Sequence, residues 1–490
     1  MLYVSTRAKA EKVTAPVAIL KGLASDGGLY VPEEIPALDP ALLTSDIPYE
    51  ELAERILLPF LPEYKDVLAS LCRAAYATGK FDTVPQTPLK DLGEGLYTEE
   101  LWHGPTSAFK DMALQLMPRL LSAAITLTGE TRDACILTAT SGDTGKAALE
   151  GFCDVEQTKI LVFYPAHGVS PLQKRQMATQ EGKNVRVQAI EGNFDDAQTA
   201  VKEIFSDAKL AEQIAPYAFL SSANSINFGR LAPQIVYYVQ AYRDLCKSGK
   251  IKLGEKVNFC VPTGNFGNIF ACYLAKRMGL PVGKLICASN SNNVLTDFLQ
   301  NGVYDKNRAF FTTISPSMDI LVSSNLERLL YFIFGAERTV ELMNALKTEG
   351  KYTLTDDEKA LLDAEFFGAY CSEDDTKNVI LSTFENNGYL TDPHTAVGLF
   401  AAKEYRRQTG DETPIVCGST ASAYKFPQSV LEALGKEIPE DEFDALEALS
   451  KATDTTIPAP LAALKNKTVR FEGVIEKTAL SDAVKDFVTR

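Results

Sequence analysis

The sequence is poor in the features that mark membrane-spanning, secreted and nucleic-acid-binding proteins. No apolar stretch approaches the roughly 20 residues that a helix needs to cross a bilayer, and the N-terminal residues MLYVSTRAKAEK lack the apolar core of a secretion signal. Basic side chains number 49 against 64 acidic ones, the net charge is -15, and no basic run is present that could bind a phosphate backbone. We therefore expect a globular, cytoplasmic protein that binds neither membranes nor nucleic acids.

Cysteine and histidine are also too scattered for a disulfide framework or a metal site. The nine cysteines are widely spaced and lie mostly in apolar runs, with no Cys-x-x-Cys or Cys/His ligand spacing. We expect reduced, buried thiols and no metal. Only three histidines occur, and a single histidine is more often a structural group than a catalyst, which is the interpretation favoured for His167 and His394.

The pattern that is present predicts an α/β fold. From residue 134 onward, short β-branched runs alternate with amphipathic stretches, as in a parallel sheet covered by helices on both faces. One helix is predicted after Asn193, where apolar residues recur at helical spacing. The candidate strands are 134–140, 159–164, 185–190, 257–261, 285–289 and 415–418.

A single lysine stands out in the segment LWHGPTSAFKDMALQ (101–115). Lys110 lies between Phe109 and Asp111 at the mouth of a predicted helix, after a Gly-Pro turn. Burial lowers the pKa of an ammonium group, and an uncharged lysine can bond to an aldehyde cofactor or move protons. A surface lysine at a helix start explains the spacing about equally well.

Two glycine turns predict anion sites. In TATSGDTGKAAL (138–149), Gly142 and Gly145 join a strand to a helix, and in VPTGNFGNIFA (261–271) a second pair of glycines does the same. The first turn is no Walker loop, because Thr140 stands where its first glycine belongs. The second lacks the GxGxxG pattern of dinucleotide-binding proteins. A turn needed only for packing is the alternative.

Taken together, these segments resemble the threonine synthase family, which belongs to the fold type II group of pyridoxal-phosphate enzymes. The lysine motif HGPTxAFKD, the substrate loop TSGDTG and the phosphate-binding segment PTGNFGN of that family all occur here, in the same order. Further matches run through nearly the whole chain, namely DGGLYVP at 26–32, SPLQKRQM at 170–177, NSINFGR at 224–230 and DPHTAVG at 392–398.

The resemblance implies two open, mainly parallel, twisted sheets flanked by helices, with an extra N-terminal domain and a helical insertion. The expected divisions are an N-terminal domain (1–95), a large cofactor-binding domain (96–140 and 230–430, with a helical insertion at about 323–392), a small domain (141–229) and a C-terminal extension (431–490).

The resemblance also implies the site residues. Pyridoxal 5'-phosphate is expected to form a Schiff base with Lys110, and Asp143 is expected beside its ring hydroxyl, with Thr420 or Ser419 at its pyridine nitrogen. The cofactor phosphate is expected on the backbone of Gly264, Asn265, Phe266, Gly267 and Asn268. The substrate is expected to contact His103, Thr140, Ser141, Gly142, Thr144, Lys146, Lys174, Arg175, Asn224, Ser225 and Asn227.

The implied reaction converts O-phospho-L-homoserine and water into L-threonine and phosphate, with Lys110 as the proton carrier, in a monomer or homodimer. A pyridoxal-phosphate-dependent phospho-lyase acting on O-phosphothreonine or O-phosphohomoserine would share every motif and stays open. Dehydratases of the same group usually carry asparagine in place of Asp143, and a nucleotide-binding oxidoreductase leaves Lys110 unexplained.

Overall fold

A computed structural model describes residues 1–77, 79–140, 142–167, 169–192 and 194–489 of the protein. Within that part of the chain the strands form sheets of three, six, two and five strands. The strands are β1 (Leu2–Ser5), β2 (Val13–Thr14), β3 (Tyr30–Pro32), β4 (Leu89–Asp91), β5 (Leu96–Glu100), β6 (Asp133–Ala139), β7 (Thr158–Pro165), β8 (Val185–Ile190), β9 (Ala218–Ser221), β10 (Val257–Pro262), β11 (Val282–Ser289), β12 (Val303–Asp305), β13 (Lys351–Thr353), β14 (Phe366–Tyr370), β15 (Ile415–Ser419) and β16 (Val474–Ile475).

Helices connect and cover these strands, and in the described residues none is both long and apolar enough to span a lipid bilayer. The α-helices are α1 (Ala15–Lys21), α2 (Tyr49–Leu57), α3 (Leu68–Tyr76), α4 (Lys110–Leu114), α5 (Met117–Thr128), α6 (Asp143–Phe152), α7 (Pro171–Ala178), α8 (Phe194–Ser206), α9 (Ala208–Ile214), α10 (Phe228–Leu231), α11 (Ile235–Lys247), α12 (Gly267–Met278), α13 (Val294–Asn301), α14 (Leu326–Thr348), α15 (Asp356–Glu365), α16 (Glu373–Asn387), α17 (Pro393–Thr409), α18 (Pro427–Ala433), α19 (Glu442–Thr453), α20 (Ala459–Ala462) and α21 (Leu480–Thr489).

The six-stranded sheet has the order β14-β11-β10-β15-β5-β4 and is parallel except for β4 at its edge. Its central strands are buried on both faces, which explains why their sequences are continuous apolar runs without alternation. Parallel strands place their carboxyl ends at one edge, so the turns after β5, β10 and β15 meet there. That edge carries the candidate site.

The five-stranded sheet has the order β16-β8-β7-β6-β9 and is parallel throughout. The turn from β6 into α6 contributes the second side of the site. The N-terminal residues form a separate antiparallel sheet, β2-β1-β3, with α1 to α3 packed nearby. These two parallel sheets with flanking helices confirm the predicted fold class.

All six predicted strands are present, and the largest difference is at β11, which begins at Val282 instead of residue 285. The predicted helix after Asn193 is also present, as α8, although Asn193 itself lies outside the described residues. Strands β4 and β5 lie in a region where the sequence predicted none. The division into four units stays a prediction, with two of its details corrected by the strand pairing.

The first correction concerns residues 134–140, which were assigned to the large domain. Strand β6 pairs with β7 and β9 and so belongs to the smaller sheet, because sheet membership is set by partners that lie elsewhere in the chain. The second concerns the stretch 323–392, which is not wholly helical. Its run FFGAY leaves α15 in extended conformation and pairs with β11 as the edge strand β14.

Candidate active site

Lys110 is the first residue of α4 and is buried, with 8% of its surface exposed. Its Nζ lies 3.6 Å from Asp143 Oδ2 and 3.4 Å from Ser317 Oγ. Burial lowers the pKa of Lys110, and the positive charges of Arg230 and Lys425 add to this effect against the attraction of Asp143. The predicted uncharged amine therefore has a structural basis.

The loop before Lys110 is shaped by Asp111. This buried carboxylate accepts hydrogen bonds from the backbone N–H of Thr106 at 2.8 Å and from its hydroxyl at 2.7 Å. Gly104 packs directly against it, since a Cβ there would lie 2.6 Å from Asp111. Phe109 then donates its N–H to the carbonyl of Thr420 at 2.8 Å, which ties the turn after β5 to the turn after β15. The local motif thus fixes where Lys110 points.

Asp143 begins α6 and faces Lys110 from the smaller sheet. Its Oδ1 accepts hydrogen bonds from Lys425 Nζ at 2.8 Å and from Gln173 Nε2 at 3.1 Å. Gly142 permits this approach, because a Cβ there would lie 2.5 Å from Gln173. Burial by itself raises the pKa of Asp143, but the charges of Lys425 and Lys110 outweigh it and hold that pKa below its usual range.

The turn between β10 and α12 offers backbone amides to an anion. Among the described residues, the N–H groups of residues 265–268 have no hydrogen-bond acceptor. They stand at the N-terminus of a twelve-residue helix, where the helix dipole favours negative charge. Phe266 has φ of 62°, which turns the backbone into the helix, and a Cβ on Gly264 would lie 2.9 Å from the carbonyl oxygen of Ser317.

Ser317 connects this turn to the lysine. Its carbonyl packs against Gly264, and its hydroxyl lies 3.4 Å from Lys110 Nζ. Ser225 lies on the other side of the turn, 3.7 Å from the position of a Cβ on Gly267. The amine and the open amides of 265–268 therefore line the same region.

The side-chain hydroxyls of Ser419 and Thr420, at the end of β15, differ in the hydrogen bonds that they make. Ser419 Oγ is engaged by Trp102 Nε1 at 3.1 Å, by Tyr389 at 3.2 Å and by Thr395 at 3.3 Å. The hydroxyl of Thr420 makes no hydrogen bond to any residue in the described part of the chain, although the residue is buried. Of the two candidates for the pyridine nitrogen, Thr420 is the one with a hydroxyl to offer.

Several residues predicted to bind substrate are engaged in protein contacts instead. His103 holds Asp82 at 2.6 Å through Nδ1 and Glu100 at 2.9 Å through Nε2. Burial lowers the pKa of His103, but these carboxylates outweigh it and raise that pKa overall. Lys146 pairs with Glu150 at 2.9 Å and also donates a hydrogen bond to the side chain of Gln180. Both side chains thus make contacts within the protein.

Others support the local backbone. Arg175 donates to the carbonyl of Lys467 at 2.7 Å, Asn227 caps α10 by accepting from the N–H of Gly229, and Thr140 Oγ1 accepts the N–H groups of Gly142 and Gly145 at 3.0 Å. Thr144 is half-buried, whereas Lys174 and Asn224 are exposed. Ser141 lies outside the described residues.

Two buried cations were missed by the sequence analysis. Arg230 donates from Nη1 to the carbonyl of Ala223 at 2.8 Å, and within the described ranges it has no carboxylate partner. Burial lowers the pKa of Arg230 to about 10, so it stays charged at neutral pH. Lys425 is the second. Arg230 lies in NSINFGR, one of the segments that carry the family resemblance, and Lys425 lies shortly after the candidate hydroxyls of Ser419 and Thr420.

Comparison with known proteins places the chain in a family. A family model described as "Pyridoxal-phosphate dependent enzyme" matches residues 80–420. Models described as "Threonine synthase N terminus" and "Threonine synthase, C-terminal" match residues 2–76 and 395–488. The chain belongs to the threonine synthase family. It is therefore a pyridoxal-phosphate-dependent enzyme, as the resemblance implied.

Individual members of the threonine synthase family agree over most of their length. The threonine synthase of Pseudomonas aeruginosa is 41% identical over 446 residues, which cover 88% of this chain and 90% of that protein. Human threonine synthase-like 1 is also 41% identical, over 86% of this chain and 58% of that protein. The pyridoxal-phosphate-bound structure of Brucella melitensis threonine synthase matches at a TM-score of 0.89 with 37% identity, covering all of both chains. Yeast threonine synthase matches at a TM-score of 0.88 with 31% identity, covering 100% of this chain and 99% of that one.

The residues present fit the cofactor of the threonine synthase family. Its aldehyde needs an uncharged amine, which the burial of Lys110 favours, and its phosphate needs donors, which the free amides of 265–268 offer. The free hydroxyl of Thr420 lies in the turn that contacts Phe109, beside the lysine.

Proposed function

We propose that the protein is a threonine synthase that converts O-phospho-L-homoserine and water into L-threonine and phosphate. The observation that carries the proposal is the burial of Lys110 beside the carboxylate of Asp143, at the junction of both parallel sheets. A lysine in this position accepts and returns protons at neutral pH, which the reaction requires at neighbouring carbons of one substrate.

Groups from four turns would hold the cofactor. Lys110 would bond to it covalently, and the amides of 265–268 would bind its phosphate. Asp143 would lie beside the ring hydroxyl, and Thr420 would hydrogen-bond the pyridine nitrogen without keeping it protonated, because a hydroxyl carries no charge. When bound, pyridoxal phosphate supplies the electron sink that stabilises negative charge on the substrate carbon.

Lys110 is proposed to carry the protons of the reaction. Its free amine takes protons from the substrate α-carbon and β-carbon, delivers one to the γ-carbon once phosphate has left it, and returns one to the α-carbon after water has added. Phosphate leaves from the γ-carbon, and water adds at the β-carbon. Ser317, with its hydroxyl 3.4 Å from Nζ, orients the amine for these transfers.

The substrate brings a second phosphate, and Arg230 is the residue we propose to bind it. Arg230 is a buried, charged guanidinium whose electrostatic influence reaches Lys110, and it has no acidic partner in the described part of the chain. A guanidinium binds phosphate through two parallel hydrogen bonds. Ser225, beside the cofactor-phosphate turn, lies in the same NSINFGR segment.

A product assay tests this proposal. The purified holoenzyme is incubated with O-phospho-L-homoserine, and free phosphate, threonine and 2-oxobutanoate are quantified. Threonine in equal amount to phosphate is expected. A phospho-lyase is the second candidate, because elimination of phosphate would use the same buried Lys110, the same Asp143 and the same anion-binding turn. Phosphate accompanied by 2-oxobutanoate, with no threonine, would establish the lyase instead.

We further propose that the enzyme works in the cytoplasm as a monomer or homodimer. All nine cysteines are free thiols in the structure, which suits a reducing compartment. Light scattering on the eluting protein and fractionation of the source cells test these two points, and an elution mass above that of two chains would exclude the oligomeric proposal.

A further inference from the structure

Lys425 is a second lysine in the candidate site, and its side chain is fully buried. Its Nζ lies 2.8 Å from Asp143 Oδ1, 3.0 Å from the carbonyl of Thr106 and 3.3 Å from Gln176 Oε1. These are three acceptors, and only the charged ammonium form has three N–H donors to offer them. Lys425 is therefore surrounded by oxygen acceptors, whereas burial lowers the pKa of Lys110.

This contact fixes the orientation of Asp143. Lys425 and Gln173 both donate to Oδ1, so Oδ2 is the oxygen left facing Lys110, at 3.6 Å. Through Thr106, the same ammonium also holds the loop that carries Lys110. We propose that Lys425 is a positioning residue of the reaction, which keeps Asp143 ionised and aims its second oxygen at the Lys110 amine.

The inference rests on the proposed role of Lys110 and concerns the charge around it. The charged groups that act on Lys110 are Asp143, Arg230 and Lys425. Asp111 interacts electrostatically with Lys425, and His394 with Asp143. Because Lys425 neutralises Asp143, the carboxylate can contact the amine without drawing a proton onto it. Without Lys425, an unpaired carboxylate would stabilise the ammonium form of Lys110.

Apoenzyme reconstitution measures this charge effect directly. Pyridoxal phosphate is added to apoprotein, and the appearance of the bound-cofactor absorbance band is timed from about pH 6 to about pH 10, across the range in which amines titrate. Lys425→Met is expected to move the rate profile to higher pH and to slow the rate at pH 7 by about three- to tenfold, as stronger protonation of an amine would. The double variant Asp143→Asn with Lys425→Met is expected to return the profile toward that of the native protein.

Two controls separate charge from structure. Lys276→Met removes a lysine that pairs with Glu365 at 2.7 Å outside the site, and it is expected to leave the profile unchanged. Lys425→Arg keeps the positive charge and is expected to keep the native pH midpoint. Its rate is expected to be lower at every pH, because the larger guanidinium fits the buried position less well. This arginine variant keeps the inference testable if Lys425→Met does not fold.

The outcomes distinguish this inference from the proposed function. A Lys425→Met profile that coincides with the native one, or that is slower by the same factor at every pH, would overturn the inference and leave Lys425 a structural group. A Lys425→Arg profile whose pH midpoint moves upward as far as that expected for Lys425→Met would also overturn the inference. If borohydride fixes no cofactor on the Lys110 peptide of native protein, the proposed function itself is wrong.

Discussion

His394 accepts a hydrogen bond through Nε2 from the backbone N–H of Ser317, with 3.1 Å between the nitrogens. Its Nδ1 lies 2.8 Å from Asp392 Oδ1, so Nδ1 carries the proton and the ring is held in a single tautomer. The hydroxyl of Ser317 in turn lies 3.4 Å from Lys110 Nζ. A buried imidazole thus fixes the turn that touches the proposed catalytic amine.

Replacing His394 by alanine is expected to lower both stability and turnover. The N–H of Ser317 and the carboxylate of Asp392 lose a buried partner, which costs about 1–3 kcal/mol of unfolding free energy. Urea denaturation measures this loss, and His167→Ala is the matched control, because His167 has an 84% exposed side chain and its removal should stay within about 0.5 kcal/mol. Equal effects of the two substitutions would contradict a structural role for His394.

Replacing Gly264 by alanine is expected to weaken cofactor binding. The added Cβ would lie 2.9 Å from the carbonyl of Ser317 and would displace the turn that holds the amides of 265–268. Overpacking of this kind costs about 1–3 kcal/mol, and about 1.4 kcal/mol corresponds to a tenfold change in Kd. Cofactor titration of apoprotein measures it. Gly418→Ala is the control, since a Cβ there meets only Leu101 at 3.8 Å and should leave Kd unchanged.

Replacing Arg230 by lysine is expected to weaken substrate binding and leave cofactor affinity near native. Lysine keeps a charge but loses the paired hydrogen bonds, so kcat/KM for the phosphorylated substrate should fall about 10- to 100-fold. Steady-state kinetics and cofactor titration of the same preparation separate the two affinities. Lys174→Met is the comparison, because Lys174 is the exposed cation predicted from sequence. A larger fall in kcat/KM for Lys174→Met than for Arg230→Lys would indicate that Lys174, and not Arg230, binds the substrate phosphate.

Asp111 is expected to make stability depend on pH. Burial raises the pKa of its carboxyl from 3.8 to about 6, so the folded state holds this proton more tightly than the unfolded state. Its contribution to stability is therefore complete below its unfolded pKa and is lost as the pH rises through about 6. The unfolding free energy of native protein relative to Asp111→Asn should fall across that interval in urea titrations. A difference that is constant with pH would show that Asp111 titrates normally.

Local sequence encodes some parts of the fold and of the candidate site. The loop before Lys110 is shaped by Gly104, Thr106 and Asp111, which lie within a few residues of it, so much of its conformation is encoded locally. The turn containing Gly264 depends in addition on Ser317, which lies in a distant segment. The strands were predicted because a buried parallel strand is an apolar run. The choice between Ser419 and Thr420 required the structure, because three distant side chains occupy the Ser419 hydroxyl.

The parts that depend on distant partners could not be predicted in this way. The burial of Lys425 cannot be read from its own segment, because its ion-pair partner Asp143 is distant in the sequence. The contact of His103 likewise depends on Asp82, which lies in another segment. The assignment of β6 to the smaller sheet likewise depends on β7 and β9, and FFGAY becomes a strand because β11 offers it an edge. Local pattern carries no information about these pairings.

The pairing of β5 with β15 has a consequence for synthesis on the ribosome. Lys110 follows the first of these strands and Thr420 the second, and nearly all of both parallel sheets is encoded between them. During translation β5 has only β4 beside it, so an edge stays open until β15 has emerged. A nascent chain therefore lacks the β15 turn that closes the site around Lys110, and translation must pass residue 425 before Asp143 acquires Lys425, the closer of its two cationic partners.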